Sequence, residues 1–242
     1  IHTQPGEEII CEYSSHIINF ETGGPSALSG VMIRALHGSH GIFESFQVAE
    51  AIRPSSRYAP KSSLLCVEQT ANMSGGTIWP LDKMQAVTTT AHQSGLKTHM
   101  DGARLMNAVV KTGISAEQYG NCFDSVWIDF TKGLGAPIGA VLAGSRDFID
   151  HAWRIKQQWG GAMRQSGIAA AMCIYALDNN INFPLRISYR PRNSSPVLPN
   201  IQTNKIKNVD DLLIKETEEG LKEKLDEYVF PYANQKNINE IR

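Results

Sequence analysis

Small disulfide scaffolds need many cysteines, and this chain of 242 residues has four, Cys11, Cys66, Cys122 and Cys173, far apart and without a C-x-x-C pair. A disulfide framework and a zinc-finger spacing are both excluded, and four thiols in a reducing compartment are expected. Charge of one sign is also lacking. The 23 Lys and Arg balance 24 Asp and Glu, a formal net charge of −1, so there is no global basic field to hold nucleic acid or an anionic membrane. No segment approaches the ~18 apolar residues that span a bilayer. The opening Ile1–Gly6 has no basic-then-apolar leader pattern. A cytoplasmic protein is the expectation. An initiator methionine is absent too, so the chain reads as an incomplete product. With 20 Gly and 11 Pro, neither periodic, collagen-like and disordered classes fall away. What remains is an ordinary globular composition, 42% hydrophobic and 19% charged. A chain this long can bury a core without metal or disulfides.

From Leu64 to about Asn180, short apolar runs alternate with longer helical periods. Strands are expected at Leu64–Glu68, Lys97–Met100, Ser125–Phe130 and Ile138–Ala143. Helices are expected at Leu81–Ser94, Ala103–Lys111 and Arg146–Trp159, with Gly95 and Gly113 placed as C-cap glycines. Strands alternating with helices of ten or more residues argue for βαβ units and a parallel sheet. The fold class is therefore α/β: a three-layer, mainly parallel sheet flanked by helices. Before Leu64, Gly23-Gly24-Pro25 and the His37–Gly41 segment read as loops bracketing one short helical stretch. The expected organisation is a domain over 1–180, an irregular linker over 181–208 and a charged helical tail over 209–242. The linker carries Pro184, Pro191, Pro196 and Pro199; the tail carries Leu212, Leu213, Leu221, Leu225 and Val229 on one face.

The most specific block is Thr131-Lys132-Gly133-Leu134-Gly135-Ala136-Pro137. Ligands of open α/β sheets bind beyond the carboxyl ends of strands. A semi-buried lysine there can lose its proton and act as an amine nucleophile. By itself the block is equally the pattern of a surface-loop lysine beside turn glycines. The second block is His99-Met100-Asp101-Gly102-Ala103-Arg104, which puts an acid at a strand end and a base three residues on. By itself Asp101 reads first as an N-cap for the helix that follows. Together, a lysine able to bind an aldehyde and an aspartate able to hold a pyridinium nitrogen are the signature of pyridoxal 5'-phosphate enzymes.

Six segments in one order carry a family resemblance. They are Cys11–His16, Glu21–Gly24, Glu68–Asn72, His99–Arg104, Thr131–Pro137 and Gly160–Gln165. Together they resemble the low-specificity L-threonine aldolases, pyridoxal-phosphate enzymes of the aspartate aminotransferase-type fold (fold type I). The match runs from about Cys11 to Asn180. The resemblance implies cleavage of L-threonine or L-allo-threonine to glycine and acetaldehyde. It implies that Lys132 binds the cofactor aldehyde and Asp101 its pyridine nitrogen. Arg104 is implied near the phenolic oxygen and His16 on the ring face. Arg164 is implied at the phosphate across a subunit boundary, in a homo-oligomer, dimer or tetramer. The implied partner is a small β-hydroxy amino acid, with no nucleic acid and no membrane.

Three departures follow from the same resemblance. The family's Glu-Asn-Thr-His-Asn segment is here Glu68-Gln69-Thr70-Ala71-Asn72, so Ala71 stands where a histidine reaches the substrate hydroxyl. Alanine moves no proton, and general acid–base help is worth about 10²–10⁴-fold. The family's phosphate cradle, a Gly-Thr or Gly-Ser at a helix N-terminus, precedes the Cys11 segment and lies before Ile1. After Asn180, no domain supplying an arginine for the substrate carboxylate is recognised; Arg186, Arg190 and Arg192 do not align with it. The large domain is thus expected to be incomplete. Two alternatives stay open: an inactive remnant that acts as a folded or subunit-binding module, and another reaction on the same scaffold, β-elimination or transamination.

Overall fold

The computed structural model describes residues 1–181. The linker and tail expected beyond residue 181 lie outside the described residues. Strand β3 (Ser62–Glu68) is buried at every position, as a strand covered on both faces must be. It sits inside a six-stranded sheet with β1 (Glu8–Glu12), β2 (Met32–Leu36), β4 (Lys97–Gly102), β5 (Ser125–Asp129) and β6 (Ala140–Gly144), in the order β2-β1-β3-β4-β5-β6. All neighbours pair in parallel except β5 and β6, which are antiparallel. The mainly parallel α/β sheet is as expected.

The chain before Leu64 departs from the sequence expectation. It holds β1, β2 and three helices: α1 (His16–Asn19), α2 (Gly24–Ser29) and α3 (Ser45–Ala51). The apolar run in β1 is three residues between two glutamates, too short to stand out from loop sequence. Burial in the sheet, not local preference, makes it a strand. Farther on, α4 (Leu81–Gln93) is followed by Gly95 at φ +78°, and α5 (Leu105–Thr112) by Gly113 at φ +75°, the left-handed stops that glycine accepts without strain. Helix α5 starts two residues later than expected because β4 runs on to Gly102. A Cβ at Gly102 would sit 2.4 Å from the Trp127 carbonyl oxygen, so only glycine lets β4 pass so close to β5 there. Helices α6 (Ala116–Gly120), α7 (Arg146–Gln158) and α8 (Gly167–Asn180) complete the described chain.

The period-two alternation of the strands divides the sheet into unlike faces. Ile10, Leu65, Val67, Met100, Val126 and Ile128 join one continuous core with α3, α4, α5, α6 and α8. The opposite face carries Ile9, Cys11, Leu64 and Cys66, covered in part by Ile17 and Ile18 of α1. There a groove of about 540 Å³ remains, floored by strand residues and walled by α1, α2 and, from α7, Phe148. The chain leaves β1 for β2 on one side and returns to β3 on the other. That reversal opens a crevice at the carboxyl ends of β1 and β3, the place where doubly wound sheets take ligands.

Candidate active site

Buried carboxylates shape the strand ends. Glu12 closes β1: its Oε2 accepts the N–H of Ser14 at 2.7 Å and the Ser14 hydroxyl, and its Oε1 accepts the Gly38 N–H at 3.4 Å. Ser15 Oγ donates to the Glu12 carbonyl at 2.6 Å. These bonds turn the chain into α1 and present His16. The His16 N–H donates to Glu68 Oε2 at 3.1 Å, its ring Nδ1 lies 2.5 Å from Glu21 Oε1, and the ring tilts against Phe20 with centroids 5.3 Å apart. The His16 side chain is half exposed.

Asp101 is the next-to-last residue of β4 and lines the groove, with Glu68 beside it in register on β3. Asp101 Oδ1 accepts the Ala103 N–H at 3.0 Å. The capping reading is therefore partly right: Asp101 holds the turn into α5, although Arg104 is the residue at the helix N-cap. Among the described residues no cation forms an ion pair with Asp101. Burial pushes its carboxyl above the ordinary range, with Glu21 adding to the rise and the Ala103 N–H, His16 and Arg104 opposing it. Glu68 is raised for the same first reason, burial, with the Asp101 charge adding to it. The groove floor is thus short of positive charge at Asp101.

Lys132 follows β5. Asp129, 8% exposed, accepts the Thr131 N–H at 2.7 Å and the Thr131 hydroxyl at 2.6 Å on Oδ1, and its Oδ2 lies 3.6 Å from Lys132 Nζ. Downstream, Gly135 (φ +71°) donates to the Lys132 carbonyl at 3.1 Å and Asn180 of α8 donates to the Leu134 carbonyl at 2.9 Å. Leu134 is buried, so the Gly-rich segment is a packed turn with a half-exposed lysine at its edge. Adjacent parallel strands bring Asp101 and Lys132 to the same edge of the sheet, although only Asp101 lines the groove.

Arg104 donates its N–H to the Gln69 carbonyl at 3.1 Å, and its guanidinium forms no ion pair among the described residues. Arg164 is exposed in the connection between α7 and α8 and is not among the residues that line the groove. Sequence reasoning missed Glu12, Glu68 and Asp129 as the groups that hold this edge together. Glu12 and Asp129 hold the N–H and hydroxyl groups of Ser14 and Thr131, two residues on, a local turn pattern; the His16 N–H held by Glu68 is 52 residues away, and no local pattern signals that. It also missed Gln69, fully buried, whose amide pairs with both backbone groups of Trp79. Ala71 is 5% exposed and faces the turn at Gly41, where an added Cβ would lie 2.7 Å from the Ala71 Cβ.

A ligand that suits this edge has a cationic ring for Asp101 and an electrophilic carbon for Lys132. Pyridoxal phosphate has both, and the residues present fit it at the ring and the aldehyde.

Comparison with known proteins agrees. The family described as beta-eliminating lyase matches residues 1–211. A low-specificity L-threonine aldolase of Candida albicans is 37% identical over 186 residues, covering 74% of this chain and 48% of that protein. The low specificity L-threonine aldolase of Escherichia coli K12 is 36% identical over 181 residues, covering 74% and 54%. This chain spans about half the length of these curated relatives. Among solved structures, a Leishmania major threonine aldolase superposes with a TM-score of 0.63 at 21% identity, covering 76% of this chain and 51% of that one. At that identity the likeness is one of fold.

Proposed function

The chain belongs to the beta-eliminating lyase family, and from that premise we propose that it binds pyridoxal 5'-phosphate and serves in cleaving L-threonine or L-allo-threonine to glycine and acetaldehyde. The observation that carries this reading is Asp101, a partly buried carboxylate on the groove floor without a cationic partner among the described residues, next to the strand that leads into Lys132. When bound, the cofactor supplies an electron sink for the substrate α-carbon. Asp101 would accept the N–H of a protonated ring nitrogen, and that cation would draw its carboxyl back down. Lys132, freed from Asp129, would bind the aldehyde and later carry a proton. His16 would cover the ring, Arg104 face the phenolic oxygen, and Arg164 reach phosphate in a neighbouring subunit, so the working form is a homo-oligomer. The cytoplasm is its proposed compartment.

Ala71 supplies no proton at the substrate hydroxyl. That transfer falls to water or to another side chain and slows the carbon–carbon cleavage. The same alanine favours a second reading, an inactive remnant of this scaffold that acts as a folded or subunit-binding module. Adding pyridoxal phosphate should give a near-visible absorbance band, and borohydride reduction followed by peptide mapping should place the label on Lys132. Acetaldehyde release from L-threonine, followed with a coupled alcohol dehydrogenase, separates the aldolase from other lyases. Label on a different lysine, with none on Lys132, would sink the assignment.

A further inference from the structure

Helix α1 is four residues long, and Ser15 at its N-cap makes no side-chain cap bond. A helix so short cannot hold itself, and its first N–H groups need acceptors from elsewhere. Glu68 supplies one. Its Oε2 accepts the His16 N–H at 3.1 Å, while its Oε1 accepts the Asn72 N–H at 3.3 Å in the loop after β3. Its backbone is paired in register with Asp101 on β4. One carboxylate therefore joins three elements at the groove: the helix that starts with His16, the loop that contains Ala71, and the strand end that carries Asp101. The Glu21 contact on the His16 ring comes from beyond the same helix, so it cannot fix α1 against the sheet. Of the hydrogen bonds to α1 among the described residues, the one from Glu68 reaches it from another strand of the sheet.

We propose that Glu68 is a positioning residue for the cofactor, holding α1 so that His16 is presented over the strand end that carries Asp101. The proposal rests on the cofactor reading above. Glu68 acts through His16, so removing either should undo the same arrangement once.

The test is a double-mutant cycle in cofactor affinity, read by titrating pyridoxal phosphate into the protein and following both the near-visible band and tryptophan fluorescence, with thermal melts as controls. Glu68→Ala should weaken affinity ~10-fold, the scale of losing a hydrogen bond to a charged group. His16→Ala should do the same. The double variant should also lose ~10-fold and not ~100-fold, because effects that run through one arrangement do not add. Glu68→Gln, which keeps the shape and an amide oxygen acceptor, should recover most of the loss, and it serves as the test if Glu68→Ala fails to fold. A ~100-fold loss in the double variant would overturn the proposal. So would a Glu68→Gln protein that melts like the wild type but binds as poorly as Glu68→Ala. So would a Glu68→Ala protein whose melting temperature falls while its affinity and band stay unchanged. If the wild-type protein itself shows no band and no quenching, the cofactor reading fails, and this proposal goes with it.

Discussion

The two faces of the sheet are built from alternate residues of the same strands, and they obey opposite rules. Along β4, Thr98 and Met100 are fully buried on the sealed side, while His99 and Asp101 line the groove. Along β5, Val126 and Ile128 join the core while Trp127 lines the groove and Asp129 holds the turn to Lys132. The sealed face maximises apolar burial. The groove face accepts buried carboxylates, a costly choice unless something compensates them. A fold that spends one face on stability can tolerate cost on the other. Substitutions one residue apart should therefore separate stability from chemistry.

The widest separation is expected at Lys132. Lys132→Ala should remove all borohydride-fixed label and turnover. Because that side chain is 44% exposed, the melting temperature should stay near the wild-type value. A variant that still fixes the cofactor would break the contrast at its strongest point. On the sealed face the opposite is expected. Met100→Ala, at a residue with no exposure, should cost about 2–5 kcal/mol of stability, measured by denaturant unfolding. Below its melting point, cofactor affinity should be unchanged. A large loss of affinity in folded Met100→Ala would mean that the faces are not independent.

Ala71 sharpens the comparison from the loop that follows β3. Ala71→His should raise the rate of β-hydroxy amino acid cleavage by ~10²-fold, about 2.7 kcal/mol of barrier, by restoring a proton-transfer group. The position is closely packed against Gly41, so the gain should come with a loss of about 1–3 kcal/mol in stability from overpacking. Unchanged cleavage in a variant that keeps the cofactor band would mean that the scaffold breaks a different bond, or that another group already moves the proton.

Long alternations were legible in the sequence and short ones were not. From β3 to α7 each apolar run is flanked by a helix of several turns or by a stopping glycine, and the expected elements are there within a few residues. Strands β1 and β2 are no shorter than β5 and β6, but no long helix sets them off, and their identity comes from parallel pairing with neighbours that a local reading cannot see. The groove followed the same division. Asp101 and Lys132 could be found because strand ends are readable. Glu68 could not, since the His16 N–H it accepts comes from 52 residues away, whereas the bonds of Asp129 to Thr131 are a local turn pattern that was there to be read. Arg164 came from family resemblance alone, and it stands exposed outside the groove lining.

The smallest effect, and the one with a change of sign, is expected at Asp101. Burial raises its carboxyl above the unfolded value, which is near 3.9 for an ordinary aspartate. A raised carboxyl holds its proton more tightly in the folded state, so its contribution to stability is fully present below about pH 3.9 and is lost as pH climbs through the folded value. At neutral pH the ligand-free protein therefore carries the cost of a buried charge, next to a second raised carboxyl at Glu68. Asp101→Asn removes that charge and keeps an oxygen for the Ala103 N–H. Without cofactor, the variant should melt roughly 2–4 °C above the wild type at neutral pH, the size of about 1 kcal/mol in a domain of this length, with the difference shrinking toward about pH 4. With pyridoxal phosphate the order should invert. The ring cation then pairs with ionised Asp101, the wild type gains binding free energy, and the asparagine variant gains little. Paired melts with and without cofactor measure both signs in one experiment. A variant that melts lower in both conditions would reduce Asp101 to the residue that holds the turn into α5 and leave the groove floor without the charge that selects its ligand.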